Sequence, residues 1–164
     1  MELNYRIELE KIYAHIGEYK TMALATSSKN HPTVRLMSCI IYENKIFFQT
    51  GADLMKYKQI CENNNVALCV DNIQIEGAAN ILGKINDKQN AEIMEIYKKY
   101  YKNSYETYKR NETEVLIEIV PKKIIKWDYE NGKPYRIFID MDNKQARKEM
   151  YYTGAPSDVS SALS

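Results

Sequence analysis

Cysteine and histidine are scarce in this sequence. Three cysteines, Cys39, Cys61 and Cys69, make an odd number with no CxxC spacing, so no disulfide framework is expected. Only two histidines occur, His15 and His31, and a metal site would have to bring them Cys or carboxylate ligands from distant parts of the chain. That excludes a compact metal motif. No uninterrupted apolar run approaches the ~20 residues that span a bilayer. The opening MELNYRIELEK lacks the basic-then-apolar order of a secretory signal, so the chain is expected to be cytoplasmic with reduced thiols. Charge of one sign is missing too. Lys plus Arg number 23 against 22 Asp plus Glu, which gives no general field for nucleic acid or an anionic membrane. There is no GxGxxG after a strand, no GxxxxGK[ST], no HExxH and no GxSxG. Dinucleotide domains of the usual kind, P-loop enzymes, zincins and α/β-hydrolases are thereby disfavoured.

What is present suits one globular domain. The 164 residues are 45% apolar and 27% charged, ordinary values for a chain that buries its own core. We expect a single domain over 1–150 and an unfolded tail over 151–164, where TGAPSDVSSALS is small and polar.

Periodicity predicts a helix over Asn4 to Gly17, with Ile7, Ile12, Tyr13 and Ile16 on its inner face. MALATSS, TVRLMSCIIYE and KIFFQT then read as a three-strand meander, divided by KNHP and by Glu43-Asn44. A helix over Asp53 to Asn63 follows, capped by Asp53, with Leu54, Tyr57 and Cys61 on one face. VALCV and IQIEGAANIL are two more strands, with Gly77 marking a bulge or a close backbone approach. A long helix runs from Asp87, its expected cap, to Lys109. EVLIEIVPKKIIKWDY is a last strand pair, in which Pro121 is allowed only at an edge or bend. About six mostly antiparallel strands remove their edges by closing. The expected fold is α+β, a small six-stranded antiparallel barrel with helices outside. Doubly wound α/β is disfavoured because the first strands lack crossover helices.

Most candidate chemistry has a plain structural explanation. His31 in a turn near Ser27 and Ser28 reads as solvated, and Cys39 and Cys69 read as small apolar strand residues. KKYYKNSYETYKR interleaves basic and aromatic residues as nucleic-acid binders do, but Glu92, Glu95, Glu106 and Glu112 dilute it and its tyrosines recur at helical spacing. Arg35 is different. Strand alternation puts it on one face with Met37 and Cys39, where a guanidinium is costly without an anion. The next strand ends in Gln49-Thr50-Gly51, and the helix after it offers Lys56 and its first-turn amides. Together these make a phosphate pocket.

The stretch VRLMSCIIYENKIFFQTGADLMKYKQICENNNVALCVDNIQIEGAANIL resembles the pyridoxamine 5′-phosphate oxidase-like, FMN-binding split-barrel family, whose divergent members include general-stress and nitroimidazole-resistance-like proteins. The likeness covers Ala23 to Leu82 and resumes over Ile119 to Tyr129. It implies a six-stranded split barrel and a homodimer with FMN in clefts between subunits. Arg35 corresponds to the family's phosphate arginine, and Leu36, Met37 and Ser38 to the strand along the flavin. Gln49 and Thr50, Lys56, and Asn72 fall at further FMN positions. Trp127 matches the tryptophan given by the partner chain, and Arg136 a later arginine.

Departures from the family narrow the activity. The position that bears a substrate-binding lysine in the oxidase is Ile40, a Ser-Arg pair is Leu54-Met55, and the C-terminal Arg-Leu-His-Asp-Arg signature is absent. The resemblance therefore implies an FMN-dependent oxidoreductase of unassigned substrate, with an electron donor such as NAD(P)H, rather than a true pyridoxamine phosphate oxidase. The alternatives are a non-catalytic module on the same barrel for flavin, deazaflavin or heme, and a barrel that has lost its ligand.

Overall fold

Two tight turns begin the barrel. Lys29 and Asn30 (φ 48° and 59°) and Glu43 and Asn44 (φ 48° and 61°) all have left-handed backbone, the geometry of two-residue turns that match strand twist. They join β2 (Tyr19–Ser28), β3 (His31–Tyr42) and β4 (Lys45–Gly51) into the expected meander. The computed structural model describes residues 1–151. Of the tail expected over 151–164, everything from residue 152 lies outside the described residues.

The barrel closes through β5 (Asn65–Val70), β6 (Ile73–Lys84) and β7 (Glu114–Glu130). Around the ring, β7, β4, β3, β2, β5 and β6 pair antiparallel in turn, and β6 pairs with β7 again. The expected six-stranded barrel is therefore present, with extra strands. Closure requires a bend, supplied where Gly77 faces Pro121 at a register shift. A Cβ on Gly77 would lie 2.6 Å from the Val120 carbonyl oxygen, so the position demands glycine. Pro121, with no N–H, sits where the ladder is already interrupted.

EVLIEIVPKKIIKWDY is one continuous strand rather than a pair. Its partners beyond Tyr129 were not foreseen: β8 (Lys133–Asp140) and β9 (Gln145–Met150) extend the sheet past the barrel, and β1 (Glu2–Leu3) caps the edge of β9.

The first helix, α1 (Tyr5–Ile16), is capped by the Asn4 side chain and ends at Gly17 (φ 82°). Its buried face is Glu8, Leu9, Ile12 and Ile16, while Ile7 faces water. The second, α2 (Met55–Glu62), is not capped by Asp53. Leu54 is its N-cap and has no polar atom to cap with, while the Asp53 carboxylate, one residue earlier, accepts from Thr113 Oγ1 at 3.2 Å. Gln59 and Ile60 form its buried face, and Leu54 and Cys61 are exposed. The long helix expected over Asp87 to Lys109 is three pieces, a 3₁₀ turn at Lys88–Asn90, then α3 (Ala91–Tyr100) and α4 (Lys102–Tyr108). Tyr101 breaks it (φ −127°, ψ 46°), and its hydroxyl donates to the Cys39 carbonyl. Asp87 accepts from the Lys84 amide and does not cap the turn with its side chain. Inside the barrel lie Met22, Leu24, Phe48, Ile75 and Ile117, while Ile40, Phe47, Leu116, Met94 and Tyr97 form a second cluster under α3. No helix among the described residues is long and apolar enough to cross a membrane.

Candidate functional site

Strand alternation places Arg35 as expected. Thr33, Arg35, Met37 and Cys39 turn inward, while Val34 and Leu36 point out, 69% and 72% exposed. The guanidinium donates through Nη1 to Thr26 Oγ1 at 2.6 Å and to the Leu24 carbonyl at 3.3 Å, and through Nη2 to Thr33 Oγ1. Both hydroxyls in turn donate to Gln59 Oε1, at 2.6 and 2.7 Å, and Gln59 Nε2 donates to the His31 carbonyl. Every partner is neutral. Among the described residues no carboxylate lies within 4.0 Å of Arg35, so its charge is hydrogen-bonded but not neutralised.

A second cation stands close by. Lys56 projects from the first turn of α2, its Nζ 3.2 Å from Thr50 Oγ1, with no ion pair among the described residues. Burial, and then the nearby Arg35, hold its ammonium below the usual lysine range; Glu114 and Asp53 pull the other way. Thr50 and Lys56 border a cavity of about 490 Å³, whose floor is Leu36, Met37 and Ser38 of β3 and Gln49 of β4. That volume is within the range of small-molecule sites. Gln49 Oε1 is buried without a partner, and Gln49 Nε2 donates to the Ser104 carbonyl at 3.4 Å. Arg35 itself does not border this cavity; it stands close to Lys56, which does, and the Lys56 ammonium with the orphaned Gln49 acceptor is what a polar, anionic ligand would complete.

The other three expected positions form a separate group. Asn72 and Trp127 are joined by backbone and side chain: Trp127 N–H donates to the Asn72 carbonyl at 3.0 Å, and Asn72 Nδ2 donates to the Trp127 carbonyl. Arg136 pairs in register with Trp127, its guanidinium 5.2 Å from that ring, 5.0 Å from Phe138 and 5.6 Å from Tyr151. It also faces Glu149 at 3.7 Å. None of these lines the cavity. Leu116, the register partner of Gln49, and Trp127 are separated on β7 by roughly 35 Å of strand. One chain thus holds the two groups apart.

The remaining candidates fall as chemistry suggests. His15 is exposed, 3.1 Å from Asp71, and His31 is exposed in its turn. Cys39 is fully buried, and burial pushes its thiol up to about 12; Cys69, expected inside, is exposed. Ile40 is fully buried in the cluster under α3. Sequence reasoning missed Tyr97, Ser104, Tyr108, Asn111 and Glu114 as cavity residues. Tyrosine spacing marked two of these as packed; nothing local marked Glu114.

A closed six-strand antiparallel barrel with a longer strand shared between ring and extension is a split barrel. Residues 9–128 match the pyridoxamine 5′-phosphate oxidase family, and the chain belongs to it. The resemblance carried by Ala23 to Leu82 is borne out. None of the curated proteins matches this sequence. Among solved structures, General Stress Protein 26 from Bacillus anthracis is similar, at 22% identity and TM-score 0.63 over 82% of this chain and 98% of that one. So is a pyridoxamine 5′-phosphate oxidase-related, FMN-binding protein from Nostoc punctiforme, at 11% identity and TM-score 0.59 over 91% and 93%. The heme storage protein of Vibrio cholerae is similar at 12% identity and TM-score 0.57 over 73% and 91%. At these identities the likeness is one of fold.

Proposed function

We propose that this chain is an FMN-binding flavoprotein and works as an oxidoreductase on a substrate yet to be assigned, with NAD(P)H as the class of electron donor. The observation that carries the reading is the Lys56 ammonium at an open cavity, without an ion pair among the described residues, with the Arg35 guanidinium, held by neutral acceptors, close to it. Arg35 and Lys56 would hold the phosphate, with Thr50 Oγ1 and the uncapped first-turn amides of α2 as further donors. Leu36, Met37 and Ser38 would run along the flavin, and Gln49 would fix its polar edge. Bound flavin supplies hydride acceptance and donation. The protein's part is to position it and exclude water from one face.

Asn72, Trp127 and Arg136 group around the far end of β7, and none borders the same chain's cavity, which supports a homodimer in which they complete the partner's. The exposed apolar residues Val34, Leu36, Leu54 and Met55 beside the cavity give such an interface its apolar surface. Oxidation of pyridoxamine phosphate itself is not the reading we favour, since the lysine position is the buried Ile40. Leu54 and Met55, without donors, leave the phosphate to fewer contacts.

The neighbour that stores heme suggests the competing ligand. Against it, neither His15 nor His31 borders the cavity. The absorption spectrum of freshly purified protein tests the choice. Flavin bands, bleached by NADH or NADPH and restored by an acceptor, are expected; a Soret band, or a colourless protein that ignores added FMN, would overturn the proposal.

A further inference from the structure

The cavity has an acidic wall that a phosphate pocket does not need. Glu114 opens β7 opposite Gly51 of β4; it is only 5% exposed and borders the cavity. Its carboxylate accepts no hydrogen bond among the described residues, and no cation lies within ion-pair distance of it. Asp53 borders the same space. A Cβ on Gly51 would stand 2.5 Å from Asp53 Oδ1 and 3.5 Å from Glu114 Oε1, so the two carboxylates are at most about 6 Å apart. Two like charges that close, one of them out of water, disfavour ionisation of the buried member. Burial first, and Asp53 second, raise the Glu114 pKa above the ordinary glutamate value, with Lys56 opposing.

The groups that face Glu114 come from several elements. Lys56 approaches from α2, Asp53 from the loop before it, and the Tyr97 hydroxyl from α3. Arg35 lies behind Lys56 on β3. A smaller hollow of about 250 Å³ also borders Glu114 and carries Lys84, Lys109, Arg110 and Glu112. No cation among these ion-pairs with the Glu114 carboxylate.

We propose that Glu114 determines which ligands this cavity accepts, admitting a phosphate monoester only together with one proton that Glu114 takes from solvent. The inference rests on the reading that the anion sits on Arg35 and Lys56. A dianion entering beside an ionised, buried carboxylate is repelled. Once protonated, Glu114 loses that repulsion and gains an O–H that can donate to a phosphate oxygen. No bond to carbon or phosphorus changes; one proton moves from water to Glu114 Oε. A neutral ligand of the same shape draws no proton, so Glu114 separates phosphorylated from unphosphorylated ligands by pH.

Calorimetry of the intact protein tests this, with FMN and riboflavin titrated at pH 7.5 in two buffers of different protonation enthalpy. Uptake of about one proton per FMN is expected for wild type, none for Glu114→Gln, and none with riboflavin in either. The second phosphate ionisation, near pH 6, acts equally on both proteins, so the difference between them isolates Glu114. Glu114→Gln should bind FMN about tenfold more tightly than wild type at pH 8 and equally at pH 5. Asp53→Asn, at a more exposed position, should keep the uptake but move its midpoint to lower pH, a check independent of how Glu114→Gln folds. FMN binding to wild type without proton uptake, or identical pH profiles for wild type and Glu114→Gln, would overturn the inference while leaving the anion site standing. Failure of wild type and Glu114→Gln alike to bind FMN or inorganic phosphate would remove the anion site and this inference with it.

Discussion

Arg35 and Arg136 are both strand arginines, yet their surroundings differ in kind. Arg35 has hydroxyls and a carbonyl around it and no carboxylate within ion-pair distance among the described residues. Arg136 is stacked among Trp127, Phe138 and Tyr151 and faces Glu149 at 3.7 Å. The Arg136 guanidinium has an aromatic box and a carboxylate in reach, although its buried Nε has no partner among the described residues. A guanidinium whose partners are all neutral retains a net charge that the polypeptide does not balance. On the proposed reading, the Arg35 end captures the anion and the Trp127 end shapes the site.

Mutation should separate the two ends widely. Arg35→Ala is expected to weaken FMN binding at least about a hundredfold, as loss of charge-assisted hydrogen bonds worth roughly 1.5–3 kcal/mol each implies. Arg136→Ala should cost about tenfold or less, and fluorescence titration against a dilution series measures both. Equal losses would erase the contrast.

A mixing experiment shows how the ends cooperate. If Trp127 serves the partner's cavity, dimers formed from Arg35→Ala and Trp127→Ala chains contain one intact site and one doubly damaged site. Such mixtures should regain FMN binding at about half the sites of mixed dimers, which are roughly half of all dimers at random pairing. Recovery of none would mean that Trp127 acts within its own chain or not at all.

Stability gives a smaller contrast. Thr26→Val removes the hydroxyl between Arg35 Nη1 and Gln59 Oε1, leaving buried polar atoms short of a partner, and should cost about 1–3 kcal/mol in denaturant unfolding. Arg147→Met at the other end breaks an exposed pair with Glu149 and a stacking contact on Phe138, and should cost about 1 kcal/mol or less. The smallest effect is a pH dependence. Because the folded pKa of Glu114 is raised, its ionisation disfavours the native state as pH rises from the unfolded value through the folded one. Glu114→Gln should therefore melt higher than wild type at pH 8, with the gap closing toward pH 4.

Much of the barrel could be read from local signals. The meander followed from β-branched runs between turn residues, the bulge from a single glycine at 77, and the inward face of Arg35 from a period of two. The break at Tyr101 could not, because tyrosines at three- and four-residue steps continue across it and periodicity alone does not see a kink. The β8–β9 extension was overlooked although Asn131-Gly132, both left-handed at φ 51° and 75°, is a hairpin signal. Once that hairpin is set, the pairing of Trp127 with Arg136 follows from its register. The role of Glu114 had no local sign. It depends on β7 meeting Gly51 across the barrel, a contact between positions 63 residues apart.

Phosphate capture by Arg35 is best judged by comparing FMN with riboflavin on wild type and on Arg35→Ala. We expect wild type to prefer FMN by at least about a hundredfold, and Arg35→Ala to lose nearly all of that preference while still binding riboflavin. A preference that survives the substitution unchanged, or wild-type protein indifferent to the phosphate, would contradict it.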